Sequence, residues 1–212
     1  MPRQVTTAAP LVPESASLPR LREAAEGCRA CPLWKTGTQT VFGEGPARAA
    51  ALFVGEQPGD QEDLEGRPFV GPAGRLFDRA LTDAGIDRGR IYVTNAVKHF
   101  KWVARGKRRI HQKPSALEVA ACRPWLEAEL ATVRPQVLVL LGATAAQGLL
   151  GRDFRVTQRL GQRLDTEWAP VAVATVHPSS VLRGDPADRK QAYEALVEDL
   201  KVVAELLQNQ GS

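Results

Sequence analysis

Four short apolar runs, each followed by a segment with helical spacing, constrain the fold of this chain most. The runs cover residues 50–54, 91–95, 137–141 and 171–175. The run at 137–141 contains no polar residue, which is typical of a strand covered on both faces of a parallel sheet. The helical patterns occupy residues 72–84, 115–133, 143–150 and 187–207. This alternation predicts an α/β fold: a single-domain three-layer αβα sandwich with a central, mainly parallel four-stranded sheet.

The chain is large enough for one substantial hydrophobic core, since 43% of its 212 residues are hydrophobic. Residues 1–16 are rich in Pro, Ala and Ser and predict a flexible N-terminal segment, which leaves 17–212 as the domain. No apolar run approaches the length of a membrane span, and the start lacks the apolar core of a secretory signal. With three cysteines, an odd number, a disulfide framework is not expected. We therefore expect a cytoplasmic monomer with no membrane partner.

The positive charge of the chain is concentrated in one segment. The net charge is +4, but residues 98–113 hold seven basic and no acidic residues, which leaves −3 for the remainder. An inserted basic loop, 105–113, suits contact with phosphates and counterion release. The candidate phosphate contacts in it are Arg105, Lys107, Arg108, Arg109 and Lys113. The loop also carries His111, which is either a reactive imidazole or an incidental histidine in a nucleic-acid-binding loop.

Three polar motifs follow or flank the predicted strands, where ligands bind in parallel sheets. Residues 55–62 form a Gly- and Pro-shaped turn crowded with polar side chains, and residues 66–74 place Phe69 among flexible residues before a helix. Residues 177–183 begin with His177 directly after the fourth run. The competing interpretations are a solvated turn, a core phenylalanine under a loop, and a structural histidine. A phosphate loop and a nicotinamide site are disfavoured, because neither glycine signature is present.

A cysteine pair, Cys28-x-x-Cys31, and the distant Cys122 are candidate metal ligands. Zinc and an iron–sulfur cluster are both compatible with three thiolates and a fourth ligand, for which His99 is the candidate. The alternative is a set of buried cysteines with no metal.

Taken together, these motifs resemble the uracil-DNA glycosylase superfamily, particularly its iron–sulfur family four. The resemblance runs from Cys28 to the last helix. The matching pieces are the cysteine pair, Gly-Glu-x-Pro-Gly, Gly-Arg-Pro-Phe-Val-Gly, Thr94-Asn95, Cys122 and His177-Pro178-Ser179. Three departures from family four resemble the X-type (UdgX) subgroup, which becomes covalently trapped on uracil-containing single-stranded DNA. They are His99 in place of a cysteine, Gln57 in place of alanine, and the inserted residues 107–111.

The resemblance implies a role for each motif. Phe69 would stack on a flipped uracil, Asn95 would read its Watson–Crick edge, and Gln57 and Asp60 would line the pocket. His177 would donate to uracil O2 as the free base leaves.

The X-type resemblance adds a nucleophile: His111 would attack the sugar C1′, with Glu56 accepting its proton or orienting the ring. Ser179 and Arg183 would join the basic loop on the DNA. Cys28, Cys31, His99 and Cys122 would hold a 4Fe–4S cluster.

Two alternatives remain open from the sequence. One is a conventional multiple-turnover family-four glycosylase, in which His111 serves only phosphate binding. The other is a non-catalytic nucleic-acid sensor that uses the basic loop and the cluster for binding.

Overall fold

A twisted sheet and a separate hairpin account for all the strands in the structure, a computed structural model that describes residues 6–209. The strands are β1 (Ala51–Gly55), β2 (Ile91–Asn95), β3 (Trp102–Arg105), β4 (Arg108–His111), β5 (Val137–Leu141), β6 (Arg163–Leu164) and β7 (Val171–Thr175). The sheet has the order β2-β1-β5-β7-β6, and β3 pairs with β4 apart from it. The four predicted strands are all present and pair in parallel. The two-residue β6 adds an antiparallel edge that the sequence patterns did not indicate.

Seven helices cover the two faces of the sheet. They are α1 (Leu18–Glu26), α2 (Asp60–Glu65), α3 (Pro72–Asp83), α4 (Ala116–Val133), α5 (Ala143–Leu150), α6 (Pro178–Arg183) and α7 (Arg189–Gln208). Successive strand residues point to opposite faces, so each strand supplies two cores. Leu52 and Leu138 belong to the core shared with α1, α4 and α5, whereas Phe53 and Val139 belong to the core shared with α3 and α7. The predicted three-layer sandwich is confirmed. Within residues 6–209, no helix combines the length and the apolarity of a membrane span.

The structure describes part of the segment that was expected to be flexible. Residues 1–5 of the expected flexible segment lie outside the described part. From Thr6 onward the chain packs on the domain: Ala8 is buried, and its N–H donates to the carbonyl of Ala121 on α4. Burial of a small apolar side chain and one backbone hydrogen bond therefore attach part of this segment, whose composition predicted flexibility, to the domain. Pro124 lies inside α4, and the helix continues through it to Val133.

A fully buried ion pair connects α4 to the end of β2. Nζ of Lys98 lies 2.5 Å from Oε2 of Glu129 and also donates to the backbone carbonyl of Asn95 (2.9 Å). The other carboxylate oxygen of Glu129 accepts from Tyr92 and from the N–H of Gly43. Burial, followed by the charge of Glu129, raises the pKa of Tyr92 and keeps its hydroxyl a donor. Every polar atom of this network has a partner, so it fixes the carboxyl end of β2 firmly.

Glu129→Ala should therefore destabilise the fold strongly, by roughly 3–5 kcal/mol, because it leaves the Lys98 ammonium buried without its counter-charge. Equilibrium unfolding in urea measures this change. The matched control is Glu127→Ala on the same helix, which breaks an exposed pair with Arg123 and should cost less than about 1 kcal/mol. Equal costs for the two variants would contradict this assignment.

Candidate functional site

A pocket of about 960 Å³ opens beyond the carboxyl ends of β1, β2, β5 and β7. Because these strands are parallel, the residues that follow them meet at one edge of the sheet. Ten of the residues singled out in the sequence line this pocket: Glu56, Gln57, Asp60, Phe69, Asn95, His111, Lys113, His177, Ser179 and Arg183. Motifs that are up to 127 positions apart in the chain (56 to 183) thus share one cavity.

The floor of the pocket is built around Gly55, the last residue of β1. Gly55 stands in register beside Asn95 on β2. A methyl group added at Gly55 would collide with Oδ1 of Asn95, and would lie 2.9 Å from Cζ of Phe69 and 3.4 Å from Nε2 of His177. The side chains of Asn95, Phe69 and His177 therefore converge on a position that carries no side chain.

Phe69 has a backbone conformation that few residues adopt. Its φ angle is +58°, in the left-handed region that disfavours side chains. Gly74 makes the turn possible, because a Cβ there would overlap the carbonyl of Phe69. The Phe69 ring packs against Phe77 at 5.2 Å and lies nearly parallel to the His177 ring, with centroids 6.3 Å apart. The strained turn thus places a ring that lines the pocket and also belongs to the hydrophobic core, as a neighbour of Phe77.

His177 presents a defined hydrogen-bond donor to the pocket. The backbone N–H of Ser179 donates to its Nδ1 (3.1 Å), and the Ser179 hydroxyl lies 2.7 Å from the same atom. Burial lowers the pKa of His177 to about 4, so the ring is neutral near pH 7. With Nδ1 acting as the acceptor, the proton of the neutral ring is on Nε2, the atom nearest Gly55.

The carboxylate of Glu56 bridges two elements at the pocket wall. It accepts a hydrogen bond from the hydroxyl of Thr144 on α5, and its Oε1 lies 3.3 Å from Nε2 of His111 on β4. Burial alone would raise the pKa of Glu56, but the hydrogen bonds from His111 and Thr144 outweigh it and the pKa lies below its usual value. Glu56 is therefore an ionised acceptor facing an imidazole.

The basic segment forms a β-hairpin, where the sequence predicted a loop. Strand β3 pairs antiparallel with β4, and Trp102 stands opposite His111. The chain turns back at Gly106, whose φ angle is +59°. The indole N–H of Trp102 donates to the carbonyl of Thr36 (2.7 Å). His111 is consequently carried on a paired strand, which limits its freedom more than a loop would.

Arg109 anchors this hairpin to the domain. Its guanidinium forms 2.6 Å ion pairs with Asp60 and Asp63, and it packs over the rings of Phe100 and Trp102. We expected Arg109 to contact DNA phosphates. In the structure its donors are directed at two carboxylates of the protein, so the prediction of a phosphate contact gains no support from the geometry.

Gln57 closes the base of the hairpin. Its amide nitrogen donates to the carbonyls of Lys101 (3.2 Å) and Gln112 (3.1 Å), and its amide oxygen accepts from the N–H of Lys101 (3.1 Å). Gln57 was expected to line the pocket, which it does, but its amide is committed to holding the two ends of the hairpin together. The sequence offered no signal for this arrangement, which joins residues more than 40 positions apart.

The remaining cations of the hairpin are accessible. Arg105, Lys107 and Arg108 are exposed, and within residues 6–209 no ion pair involves them. Lys113 and Arg183 line the pocket itself. A polyanion that entered the pocket would therefore meet cations on the hairpin side and at the end of α6.

The three cysteines are buried in the same part of the core, and none of them forms a disulfide within residues 6–209. Burial raises the pKa of Cys122 to about 12, and the nearby Cys31 and Cys28 add to it through charge repulsion. The thiols accept hydrogen bonds: Trp125 donates to Cys28, and the N–H of Lys98 donates to Cys122, both at 3.3 Å.

His99, the expected fourth ligand, is buried and has its Nε2 3.1 Å from the Thr40 hydroxyl. Burial lowers the pKa of His99 to about 4, which favours the neutral form that binds metals. In the part of the chain that the structure describes, no three His, Cys, Asp or Glu side chains converge on a single metal ion. Three thiols and a neutral imidazole are donor types that an iron–sulfur cluster can accept.

Sequence reasoning missed three residues of this site. Thr144 holds Glu56, Asp63 pairs with Arg109, and Lys98 supports the backbone of Asn95. Each acts through another residue and belongs to an otherwise ordinary helix or strand end. Only the acidic cluster in residues 60–65 gave a usable signal, because four carboxylates near a basic segment suggest charge pairing.

Comparison with known proteins finds relatives of one family. The family model of the uracil DNA glycosylase superfamily matches residues 42–201. A type-4 uracil-DNA glycosylase of Thermotoga maritima is 34% identical over 190 residues, which cover 89% of this chain and 94% of the relative. A type-4 uracil-DNA glycosylase of Archaeoglobus fulgidus is 37% identical over 186 residues, covering 84% and 87%. One of Sulfurisphaera tokodaii is 32% identical over 198 residues, covering 90% and 84%.

Gly55→Ala should reduce uracil release by roughly 100-fold. The new methyl group would push the side chains of Asn95 and Phe69 away, and a displacement of about 1 Å in a catalytic site costs about that factor in rate. Uracil released from a labelled oligonucleotide measures the effect, with circular dichroism to show that the fold remains. The control is Gly148→Ala on α5, where the added methyl meets only Val119 at 3.4 Å. Full activity of Gly55→Ala would rule out the floor described for this pocket.

Proposed function

This chain belongs to the uracil DNA glycosylase superfamily, and we propose that it removes uracil from single-stranded DNA by breaking the bond between the base and the sugar C1′. The observation that carries the proposal is the convergence of Asn95, Phe69 and Nε2 of His177 around Gly55. An amide, an aromatic face and a neutral N–H donor are what recognition of a flipped pyrimidine requires.

Asn95 and Phe69 select the base. The side-chain amide of Asn95 offers a donor for uracil O4 and an acceptor for uracil N3–H, whereas cytosine presents the reverse pattern on the same edge. The ionic network behind Asn95 holds its backbone through Lys98. The Phe69 ring supplies a face on which the base can stack. Selection of uracil therefore depends on the orientation of the Asn95 amide, because an amide turned by 180° would match cytosine instead.

His177 lowers the barrier to bond breaking. As the bond from uracil N1 to C1′ breaks, its electron pair moves onto the base and negative charge develops on uracil O2. A neutral imidazole with its proton on Nε2 donates a hydrogen bond to that charge without a change in its own protonation. The sugar is left with oxocarbenium character at C1′ and must be captured by a nucleophile.

In the conventional hydrolytic function, water is the nucleophile that captures C1′. The three relatives named above are type-4 uracil-DNA glycosylases, and by analogy this chain would release uracil with multiple turnovers. Glu56, ionised at the pocket wall, is placed to orient a water molecule toward C1′. The comparisons support this hydrolytic function better than a covalent reaction with the protein.

A second candidate function is favoured by the position of His111. Its imidazole lines the pocket and contacts Glu56, an ionised acceptor. A ring nitrogen of His111 would form a bond to C1′ as the bond to uracil breaks, and the ring proton would pass to Glu56. The anchored hairpin holds the imidazole near C1′ at a high effective concentration. The product would be an N-alkylated histidine, so each protein molecule would act once. The resemblance to the X-type subgroup also favours this candidate. That resemblance is carried by Gln57, His99 and the inserted segment 107–111, which contains His111.

The DNA backbone would lie along the exposed cations. Arg105, Lys107 and Arg108 on the hairpin, with Lys113 and Arg183 at the pocket, are positioned for phosphates. Ser179, also expected at the DNA, faces His177 with its hydroxyl and so orients the catalytic imidazole. Arg109 contributes indirectly by anchoring the hairpin.

Cys28, Cys31, Cys122 and His99 would hold the iron–sulfur cluster that the resemblance implies. When bound, the cluster ties the N-terminal part of the chain to α4 and supplies structural stability. No step at C1′ involves it. His99 and Cys122 flank the hairpin in sequence, so the cluster restrains both connections to the segment that carries His111.

His111→Ser separates the two candidate functions. The protein is incubated with a single-stranded oligonucleotide that contains one uracil, and free uracil and denaturation-resistant complex are measured together. The hydrolytic function predicts turnover in the unmodified protein and no such complex. The covalent function predicts one complex per protein, which disappears in His111→Ser while uracil release continues, because water then reaches C1′. Glu56→Gln, which cannot take the proton, should slow complex formation by roughly 100-fold or more.

The non-catalytic alternative is tested by the same samples. Binding of the oligonucleotide without release of uracil, and without a stable complex, would refute both enzymatic functions and leave a sensor. Asn95→Ala provides the control for background release, since it removes the amide that reads the base.

Loss of the cluster should be visible by absorption. Cys122→Ser should remove or weaken the visible absorption bands of freshly purified protein and lower the melting temperature, because it replaces a thiolate ligand inside the core. The control is Trp125→Phe, which deletes the hydrogen bond to Cys28 and part of a buried ring but no candidate ligand, so it should keep the bands even where it lowers the melting temperature. A colourless unmodified protein that contains stoichiometric zinc would contradict the iron–sulfur assignment.

A further inference from the structure

The pairing of β3 with β4 sorts the residues of the hairpin onto two faces. Residues directly opposite each other in an antiparallel pair share a face, and successive residues alternate. The pairs are Trp102↔His111, Val103↔Ile110, Ala104↔Arg109 and Arg105↔Arg108. The first and third pairs belong to the inward face, since Trp102, Arg109 and His111 contact the domain. The second and fourth pairs form the outward face: Val103, Arg105, Arg108 and Ile110.

The outward face exposes an apolar pair beside two cations. Val103 and Ile110 are 49% and 37% exposed and lie side by side across the two strands. Arg105 and Arg108 stand next to them toward the turn. A solvated strand face usually carries polar side chains, so a cross-strand pair of aliphatic residues in this place indicates a partner with an apolar surface.

This face continues directly into the pocket. Ile110 lines the pocket together with its neighbour in sequence, His111. A nucleotide whose base occupies the pocket brings its chain neighbours to the rim where Ile110 lies. The partner that fits is therefore the strand that carries the flipped base. Its bases provide apolar faces and its phosphates provide the negative charge that Arg105 and Arg108 complement.

We propose that the outward face of the hairpin is a docking platform for a nucleotide adjacent to the flipped uracil. The base of that nucleotide packs on Val103 and Ile110, while its phosphates contact Arg105 and Arg108. The inference rests on the proposed function, because the flipped uracil defines which nucleotide is adjacent. The platform favours single-stranded DNA, since a base within a duplex must first leave its own stack to reach it.

The test combines a protein change with a nucleotide change. Val103→Thr with Ile110→Thr keeps both positions β-branched but makes the platform polar. Binding is measured with short single strands that contain one 2′-fluoro-2′-deoxyuridine, which resists cleavage. In two further strands, the base on the 5′ side or the base on the 3′ side is replaced by a tetrahydrofuran abasic unit.

The double variant should bind the intact strand about tenfold more weakly, in line with the apolar contact area that the two threonines remove. Removal of the base on one side should weaken binding by the unmodified protein about as much. On that abasic strand, the double variant should bind less than about twofold more weakly than the unmodified protein, because the two changes delete the same contact. Ile110→Val, which keeps an aliphatic surface, should stay within about twofold of the unmodified protein. Leu11→Thr is the control, since Leu11 is similarly exposed (43%) and does not line the pocket.

Equal affinity of the double variant and the unmodified protein would overturn the proposal. So would a loss that is the same with and without either neighbouring base, because it would show an indirect effect on folding or on the hairpin. Uracil release by the unmodified protein is measured alongside on a cleavable strand. Absence of release and of binding refutes the proposed function, and the platform with it. Release combined with an unaffected double variant refutes the platform alone.

The cations are tested by salt dependence. Arg105→Ala with Arg108→Ala should reduce the slope of log Kd against log salt concentration by roughly 1.4, the value for two phosphate contacts on a single strand. Arg134→Ala, which removes an exposed cation that follows α4, should leave the slope unchanged. An unchanged slope in the hairpin variant would contradict the phosphate contacts.

Discussion

The in-register parallel pairing of β1 with its neighbours is the constraint on which the site depends. Gly55 stands beside Asn95, and β5 and β7 end at the same edge of the sheet. Parallel strands place their carboxyl ends together, so the turns that follow them share one space. A glycine at the end of β1 then leaves room for the side chains of Asn95, Phe69 and His177 to converge. A slip of one residue in this register would turn the amide of Asn95 away from the pocket.

The hairpin beside this edge of the sheet is also held in place by contacts with the domain. Gln57 ties its two ends together, and Arg109 binds Asp60 and Asp63. These contacts restrict the hairpin before DNA arrives, which reduces the conformational entropy lost on binding. They also explain why the basic residues of the hairpin have two different roles. One arginine is part of the scaffold, and the others remain available to a polyanion. The chemistry at C1′ then depends on whether water or the imidazole of His111 lies nearer when uracil departs.

The sequence alone predicted the layers of the fold and singled out ten of the 23 residues that line the pocket, because the layers follow from periodicity and many of these residues follow strand ends. The run Val137–Leu141 is apolar throughout, and its burial on both faces leaves little alternative to a central parallel strand. The edge strand β6 could not be predicted, since two residues carry no periodic signal. The hairpin was missed for a related reason: four of its eight strand residues are charged or small, and its pairing depends on Gln57 and Arg109, whose partners are distant in the chain. The burial of Ala8 could not be predicted, because it depends on a contact with α4 that composition does not reveal.

A structure of the His111→Ser protein bound to a single strand that contains 2′-fluoro-2′-deoxyuridine tests the central claim most directly. The account predicts the flipped uracil against Phe69, its O4 and N3–H at the amide of Asn95, and its O2 within hydrogen-bonding distance of Nε2 of His177. A uracil bound elsewhere on the protein, or bound in this pocket with its Watson–Crick edge turned away from Asn95, would contradict the account.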